Sequence, residues 1–132
     1  MIGLDTNVIV RYLVQDDPAQ APLATRFIER TLSSDNPGFI TSITLCEIAW
    51  VLAECYSTDR KRIRDVLEGL LSSKQILVER SELAWKALRD SDASGADFSD
   101  ALVGHTVAVH GGAKTVTFDR AAAKLPGFEL LR

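Results

Sequence analysis

The order of apolar patterns along this chain limits its fold most strongly, because short strand-like segments alternate with longer helix-like ones. Short strand-like segments of three or four residues recur at 2–4, 39–41, 76–78, 114–117 and 128–130. Between them, apolar residues repeat at helical spacing, as Val8, Ile9, Tyr12 and Leu13 do. This alternation predicts an α/β fold with helices packed on a mostly parallel sheet of four to five strands.

Capping residues and glycines predict where the helices begin and end. The predicted helices span residues 6–14, 17–33, 43–56, 59–71, 81–94 and 97–110, with a short helical turn at 120–124. Neither a repeat nor a linker interrupts the 132 residues, so we expect one domain over residues 1–132. No apolar run is long enough to cross a bilayer, and Asp5 lies where a secretion signal would be uncharged. A cytoplasmic protein without membrane contact is therefore expected.

Five acidic residues lie where a parallel sheet would bring them to one edge. The loops that follow parallel strands gather at one edge of the sheet, which is where open α/β folds bind ligands. Asp5 and Asp119 each directly follow a predicted strand. Glu47 comes soon after the second strand, and Asp97 and Asp100 begin a predicted helix. The sequence therefore predicts a cluster of carboxylates.

Two of these acids are set in strongly apolar helices. Glu47 lies within the run Ile43–Leu52, and Asp100 precedes Ala101–Val103. Such helices are expected to be mostly buried, where a carboxylate is costly without a partner, and no lysine or arginine lies within a turn or two of Glu47. A divalent cation would supply the counter-charge. Because the candidate ligands are oxygens and no His-x-x-x-His or Cys-x-x-Cys occurs, Mg²⁺ or Mn²⁺ is predicted rather than zinc.

Each acid also has a purely structural explanation. Asp5, Asp97 and Asp119 all precede helical segments, where aspartate is a favoured N-cap. Glu47 and Asp100 lie inside predicted helices and fit that explanation less well. The two explanations stay open for the three capping positions.

Four segments around these acids form an ordered set. They are Met1–Val8 with Asp5, Thr6 and Asn7, then Glu47, then Asp97–Val103, and finally Thr115–Asp119. This set resembles the PIN domain family over essentially the whole chain, and it looks closest to the VapC-type toxins of bacterial toxin–antitoxin pairs. The resemblance implies a three-layer α/β/α sandwich and an endoribonuclease that depends on Mg²⁺ or Mn²⁺. It also implies an RNA substrate such as tRNA or rRNA, a cognate antitoxin and, with the apolar run Ile43–Leu52, a homodimer.

The resemblance assigns roles residue by residue. Asp5, Glu47, Asp100 and Asp119 match the four family acids in order, and are the expected catalytic and metal-binding residues. The third match is ambiguous, because Asp97 lies one turn before Asp100 on the same helix face and is expected as a further metal ligand or a cap.

Three neighbouring polar residues are expected to support these acids. Thr6 and Asn7 would hold Asp5 or a metal-bound water, and Thr117 would do the same beside Asp119. Helix initiation for Thr6 and Asn7, and an ordinary strand position for Thr117, are the alternatives.

The charge balance bears on the substrate. A net charge of −3 argues mildly against non-specific nucleic-acid binding, but without the five candidate acids the chain would carry +2. The candidate RNA contacts are basic residues near the first acid or in the one dense basic run, namely Arg11, Arg60, Lys61, Arg62 and Arg64. A solvated helix face is the alternative explanation of that run. Trp50 and Trp85 are expected to pack rather than to stack on bases.

Other protein classes fit the sequence less well. A receiver module needs a phosphoacceptor aspartate after the third strand, where Glu79 and Arg80 stand here. A haloacid-dehalogenase-like phosphatase needs Asp-x-Asp in place of Asp5–Asn7. A catalytically silent binding module would have lost some of the acids, and none is missing. That module and a housekeeping RNA-processing nuclease remain the alternative functions.

Overall fold

The computed structural model describes residues 1–132, and their contacts divide into two compact units, Met1–Glu79 and Arg80–Arg132. The first unit contains strands β1 (Ile2–Gly3), β2 (Gly38–Ile40) and β3 (Ile76–Val78). Its helices are α1 (Thr6–Val14), α2 (Gln20–Arg26), α3 (Ser42–Tyr56) and α4 (Arg60–Ser72). The second unit contains α5 (Ser81–Ser94), α6 (Phe98–Val109), β4 (Thr115–Thr117) and β5 (Phe128–Leu130).

The first unit is built on a parallel three-stranded sheet in the order β1-β2-β3. Gly3 lies beside Phe39 in the register, and Phe39 lies beside Leu77. Parallel strands need crossover connections, and the helices between the strands supply them. As a result, Asp5 and Thr41 both follow the carboxyl ends of strands, and each begins a helix.

The second unit contains a parallel pair, β4 and β5, with Thr115 beside Phe128. Helix α6 approaches β5 closely at Gly104, where a Cβ atom would collide with the ring of Phe128. Glycine is therefore required at this position by space rather than by backbone conformation.

The core is made of aliphatic side chains on the inner faces of the helices and the sheet. The largest side chains that are completely buried are Ile9, Ile28, Ile40, Leu45, Ile48 and Leu67. In the second unit Leu83, Ala84 and Ala87 of α5 and Ala101 and Leu102 of α6 are buried. Alanines are among the buried residues of both helices, and α5 and α6 pack closely against each other.

The α/β class and the order of elements predicted from the sequence are confirmed. The expected single sheet of four to five strands is wrong, because the five strands form a three-stranded and a two-stranded parallel sheet. The other differences are local. The predicted helix 17–33 begins only at Gln20, because the carboxylate of Asp17 accepts hydrogen bonds from the backbone of Ala19 and Gln20 at 2.9 and 2.8 Å. It widens to a π-helical turn at Phe27–Thr31. Helices α1, α3 and α5 end at residues with left-handed backbone, namely Gln15, Ser57 and Gly95. None of the helices combines the length and apolar character needed to cross a membrane.

Candidate functional site

Asp5 lies at the point where β1 passes into α1. Its backbone is extended, with φ −79° and ψ 159°, and its carboxylate Oδ1 accepts a hydrogen bond from the backbone N–H of Thr6 at 2.8 Å. The side chain is exposed. Asp5 therefore caps α1, as the structural explanation of this residue predicts, and it also presents a carboxylate to solvent at a strand end.

Glu47 is held by Thr6, which stands next to Asp5. The Thr6 hydroxyl donates a hydrogen bond to Glu47 Oε1 at 2.8 Å, so the start of α1 is tied to the middle of α3. The sequence-based expectation gave Thr6 the role of orienting Asp5 or a metal-bound water. Its side chain instead holds the second acid of the set.

The expectation that Glu47 is buried is wrong, because α3 buries only one face. Thr44, Leu45, Ile48 and Leu52 form the buried face. Glu47 is exposed together with Ile43 and Trp50, which are 74% and 61% exposed. The apolar composition of the helix thus conceals a solvent-facing stripe, and Trp50 does not pack in the core as expected. Burial gives no reason to place a cation at Glu47.

Asn7 and Arg11 follow Asp5 along α1. Asn7 is exposed and lines an open, mostly apolar depression of about 560 Å³ beside α2. The Arg11 guanidinium donates to Gln20 Oε1 at 2.8 Å and to the Tyr56 hydroxyl at 3.4 Å, and it lies 3.8 Å from an Asp17 carboxylate oxygen. Arg11 therefore joins the ends of three helices through its Nε and Nη1 atoms.

Asp97 and Asp100 stand at the start of α6 in the second unit. Asp97 occupies the N-cap position with extended backbone, but its side chain makes no capping hydrogen bond to the helix. Asp100 is half-buried in the first turn. Burial raises the pKa of the Asp100 carboxyl above its usual value, and the negative charges of Asp97 and Asp119 raise that pKa further. Burial and both neighbouring acids therefore disfavour the charged form of Asp100.

Asp119 lies just beyond the end of β4, in a turn that Thr117 stabilises. The Thr117 hydroxyl accepts a hydrogen bond from the backbone N–H of Asp119 at 3.0 Å. Asp119 Oδ1 accepts from the backbone of Ala121 and Ala122 at 2.8 and 3.4 Å, and so caps the 3₁₀ turn Ala122–Lys124. Thr117 has a supporting position next to this acid, and the capping explanation of Asp119 also holds.

The donor chemistry of these acids fits a hard divalent cation. All of the groups are carboxylates, and Asp100 combines desolvation with two like-charged neighbours, which a bound cation would relieve. The present side-chain arrangement contains no group of three or more Asp, Glu, His or Cys side chains that could hold a metal ion. The chemistry of the ligands is thus present without the closed geometry of a metal centre.

The dense basic run lies at the start of α4. Arg60, Lys61 and Arg62 are exposed there, whereas Arg64 is only partly exposed and lies 3.3 Å from Asp65. Asp65 and the helix-capping Asp59 lie among these residues, so the face carries both signs of charge.

Two features of the second unit were not anticipated from the sequence. His105 Nε2 lies 2.6 Å from a carboxylate oxygen of Asp90, which joins α6 to α5. Phe118 is 79% exposed between β4 and Asp119. The sequence signal for Phe118 was an aromatic residue directly between a strand end and a candidate acid.

Comparison with known protein families gives a match to one family model. No curated protein matches the chain. The pattern of the PIN domain, a fold organised as a three-layer α/β/α sandwich, matches residues 2–127 and so includes every candidate acid. The chain belongs to the PIN domain family.

Proposed function

We propose that this protein is a metal-dependent endoribonuclease that hydrolyses RNA phosphodiester bonds with Mg²⁺ or Mn²⁺. PIN domains are generally metal-dependent nucleases, which is the starting point of the proposal. The observation that carries it in this chain is the setting of Asp100, where burial and then the negative charges of Asp97 and Asp119 raise the pKa of the carboxyl. The ionised Asp100 carboxylate is therefore costly in the folded protein, and a bound divalent cation would offset that cost.

The proposed catalytic carboxylates are Asp5, Glu47, Asp100 and Asp119, with Asp97 as a further ligand. A bound divalent ion would supply a more acidic water and charge neutralisation at the phosphate. Thr6 keeps the Glu47 carboxylate in one orientation through its 2.8 Å hydrogen bond. The backbone that carries Asp119 is fixed by its bond to the Thr117 hydroxyl.

The test is cleavage of purified tRNA and rRNA with Mg²⁺, with Mn²⁺ and with EDTA, beside single-stranded DNA of matched sequence. Glu47→Gln and Asp100→Asn should abolish cleavage and leave the fold intact. Matched controls are Glu68→Gln on the exposed side of α4 and Asp35→Asn in an exposed loop, which should cut like the unmodified protein. Full activity in EDTA, or in the Glu47→Gln/Asp100→Asn double variant, would contradict the metal mechanism.

We further propose that the enzyme is the toxin of a VapBC-type pair, in which an antitoxin protein inhibits it. The similarity of the opening Asp5–Asn7 segment to VapC-type toxins supports this role. Induced expression in bacteria should stop growth, whereas expression of Asp100→Asn should not. Normal growth with a fully active enzyme would instead favour a housekeeping RNA-processing nuclease.

A homodimer is proposed from the exposed stripe on α3. Ile43 and Trp50 leave apolar surface in water on the same face of this helix, which is typical of a protein contact. Light scattering should give twice the mass of the chain at micromolar concentration, and Trp50→Ala should shift the protein toward monomer. A monomer for the unmodified protein would refute the dimer.

A further inference from the structure

Phe118 is the most exposed large hydrophobic residue of the chain. Its side chain is 79% exposed, although an aromatic ring normally contributes more to folding than any aliphatic side chain when it is buried. The residue lies directly beyond β4 and directly before Asp119. The ring thus stands in water beside a proposed catalytic carboxylate.

The backbone on both sides of Phe118 is fixed. The Thr117 carbonyl accepts a hydrogen bond from Leu131 N–H at 2.8 Å, and the Thr117 hydroxyl accepts from Asp119 N–H at 3.0 Å. Asp119 in turn accepts from Ala121 N–H at 2.8 Å. The ring is therefore carried on an ordered turn, so little backbone conformational entropy is lost when a ligand covers it.

The surroundings of the ring combine apolar surface with positive charge. Phe118 lines an open depression of about 520 Å³ together with Arg120, Leu130, Leu131 and Arg132. Arg120 is exposed and makes no ion pair within the protein. An uncovered aromatic face beside an uncommitted guanidinium is the combination that binds single-stranded nucleic acid, through base stacking and phosphate contact.

We propose that Phe118 stacks on a base of single-stranded RNA while Arg120 contacts an adjoining phosphate, which holds the strand beside Asp119. The inference rests on the proposed function and names the residues that bind its substrate. Phe118 acts on the substrate and not on the chemistry, so it contributes binding that is equal in the ground state and in the transition state.

The binding test uses a short fluorescein-labelled oligouridylate in Ca²⁺ without Mg²⁺ or Mn²⁺, read by fluorescence anisotropy. Phe118→Ala should weaken binding by about 5- to 150-fold, the range for loss of one stacked base. Phe118→Trp should retain binding, because the aromatic face is kept. Val109→Ala is the control, since it also removes exposed apolar surface from the second unit but lies at the end of α6, outside the proposed RNA contact.

Salt dependence separates the two contacts. Arg120→Gln should reduce the slope of log K against log salt by about 0.7, the value for one phosphate contact to a single strand. Phe118→Ala should leave this slope unchanged, because stacking releases no counterions. In cleavage assays Phe118→Ala should raise KM and retain kcat.

The results distinguish a wrong role for Phe118 from a wrong assignment of nuclease activity. If the unmodified protein cuts and binds RNA and Phe118→Ala does so equally well, the stacking role is wrong and the nuclease stands. If Phe118→Ala instead changes the mass found by light scattering with RNA affinity unchanged, the depression binds protein and the inference is overturned. If the unmodified protein neither binds nor cuts RNA, both proposals fall.

Discussion

The hydrogen bond between Thr6 and Glu47 offers the most direct test of how the fold holds a candidate catalytic acid. Thr6→Val removes the hydroxyl and keeps the shape of the side chain. The lost contact is a 2.8 Å bond to a carboxylate, and bonds to charged groups contribute about 1.5 to 3 kcal/mol when they are shielded from water. Glu47 is exposed, so water replaces the missing donor and the expected loss falls to about 1 kcal/mol.

The assay is a double-mutant cycle in urea, with Thr6→Val, Glu47→Ala and the double variant. The coupling free energy should be about 1 kcal/mol, which corresponds to a shift of roughly 3 to 5 °C in Tm for a chain of this size. Thr6→Ser, which keeps the hydroxyl, should retain most of the stability and activity. Thr31→Val is the control for adding a methyl group at an exposed threonine whose hydroxyl makes no hydrogen bond.

Thr6→Val should lower the rate of RNA cleavage about fivefold, because a loss of about 1 kcal/mol in the positioning of Glu47 corresponds to that factor in rate. A coupling energy near zero would show that the bond does not hold Glu47 in solution. A normal cleavage rate together with the expected coupling energy would show that the orientation of Glu47 does not limit the reaction.

Three further predictions concern the second unit and its helices. Ser91→Ala removes a buried 2.6 Å hydrogen bond to the backbone carbonyl of Ala96 in the loop before α6. It should lower the free energy of unfolding in urea by about 1 to 3 kcal/mol, and a loss below about 0.5 kcal/mol would contradict the role of this bond. Gly104→Ala should destabilise the folded protein by about 1 to 3 kcal/mol, because the new methyl group collides with Phe128. Gly69→Ala, in open space on α4, should stabilise it by up to about 1 kcal/mol. Equal effects of the two substitutions would refute the steric explanation. Asp100→Asn should stabilise the metal-free protein at neutral pH, because the raised pKa of Asp100 means that ionisation disfavours the folded state. The gain, below about 1 kcal/mol for a partly exposed charge, should disappear as the pH falls below about 4, the unfolded value; a gain that persists there would have another cause.

The sequence was sufficient to predict elements whose local signals agree. Helix α1 spans Thr6–Val14 as predicted, because an N-capping aspartate and the apolar spacing of Val8 and Ile9 indicate the same boundaries. Strands β3 and β5 also lie where short apolar runs between turn residues predicted them. The helix predicted at 17–33 was less regular, because the π-helical turn depends on packing that no residue signals locally.

The site was harder to predict because its properties depend on which helix face is buried. For α3 the apolar residues surround the helix, so periodicity did not distinguish the buried Ile48 from the exposed Glu47. Glu47 is exposed and so needs no buried partner, whereas burial and two neighbouring acids raise the pKa of Asp100. The Thr6–Glu47 bond joins residues 41 positions apart, which no local pattern reveals.

The contacts of Arg11 have a consequence for genetic screens of this protein. Its guanidinium fastens Gln20 at the start of α2 to Tyr56 at the end of α3. If the protein is a toxin as proposed, a selection for surviving cells should recover Arg11 substitutions, and these could be mistaken for the loss of an RNA contact. These substitutions should instead destabilise the fold. They should lower the amount of folded enzyme per cell, and the molecules that do fold should bind RNA with normal affinity.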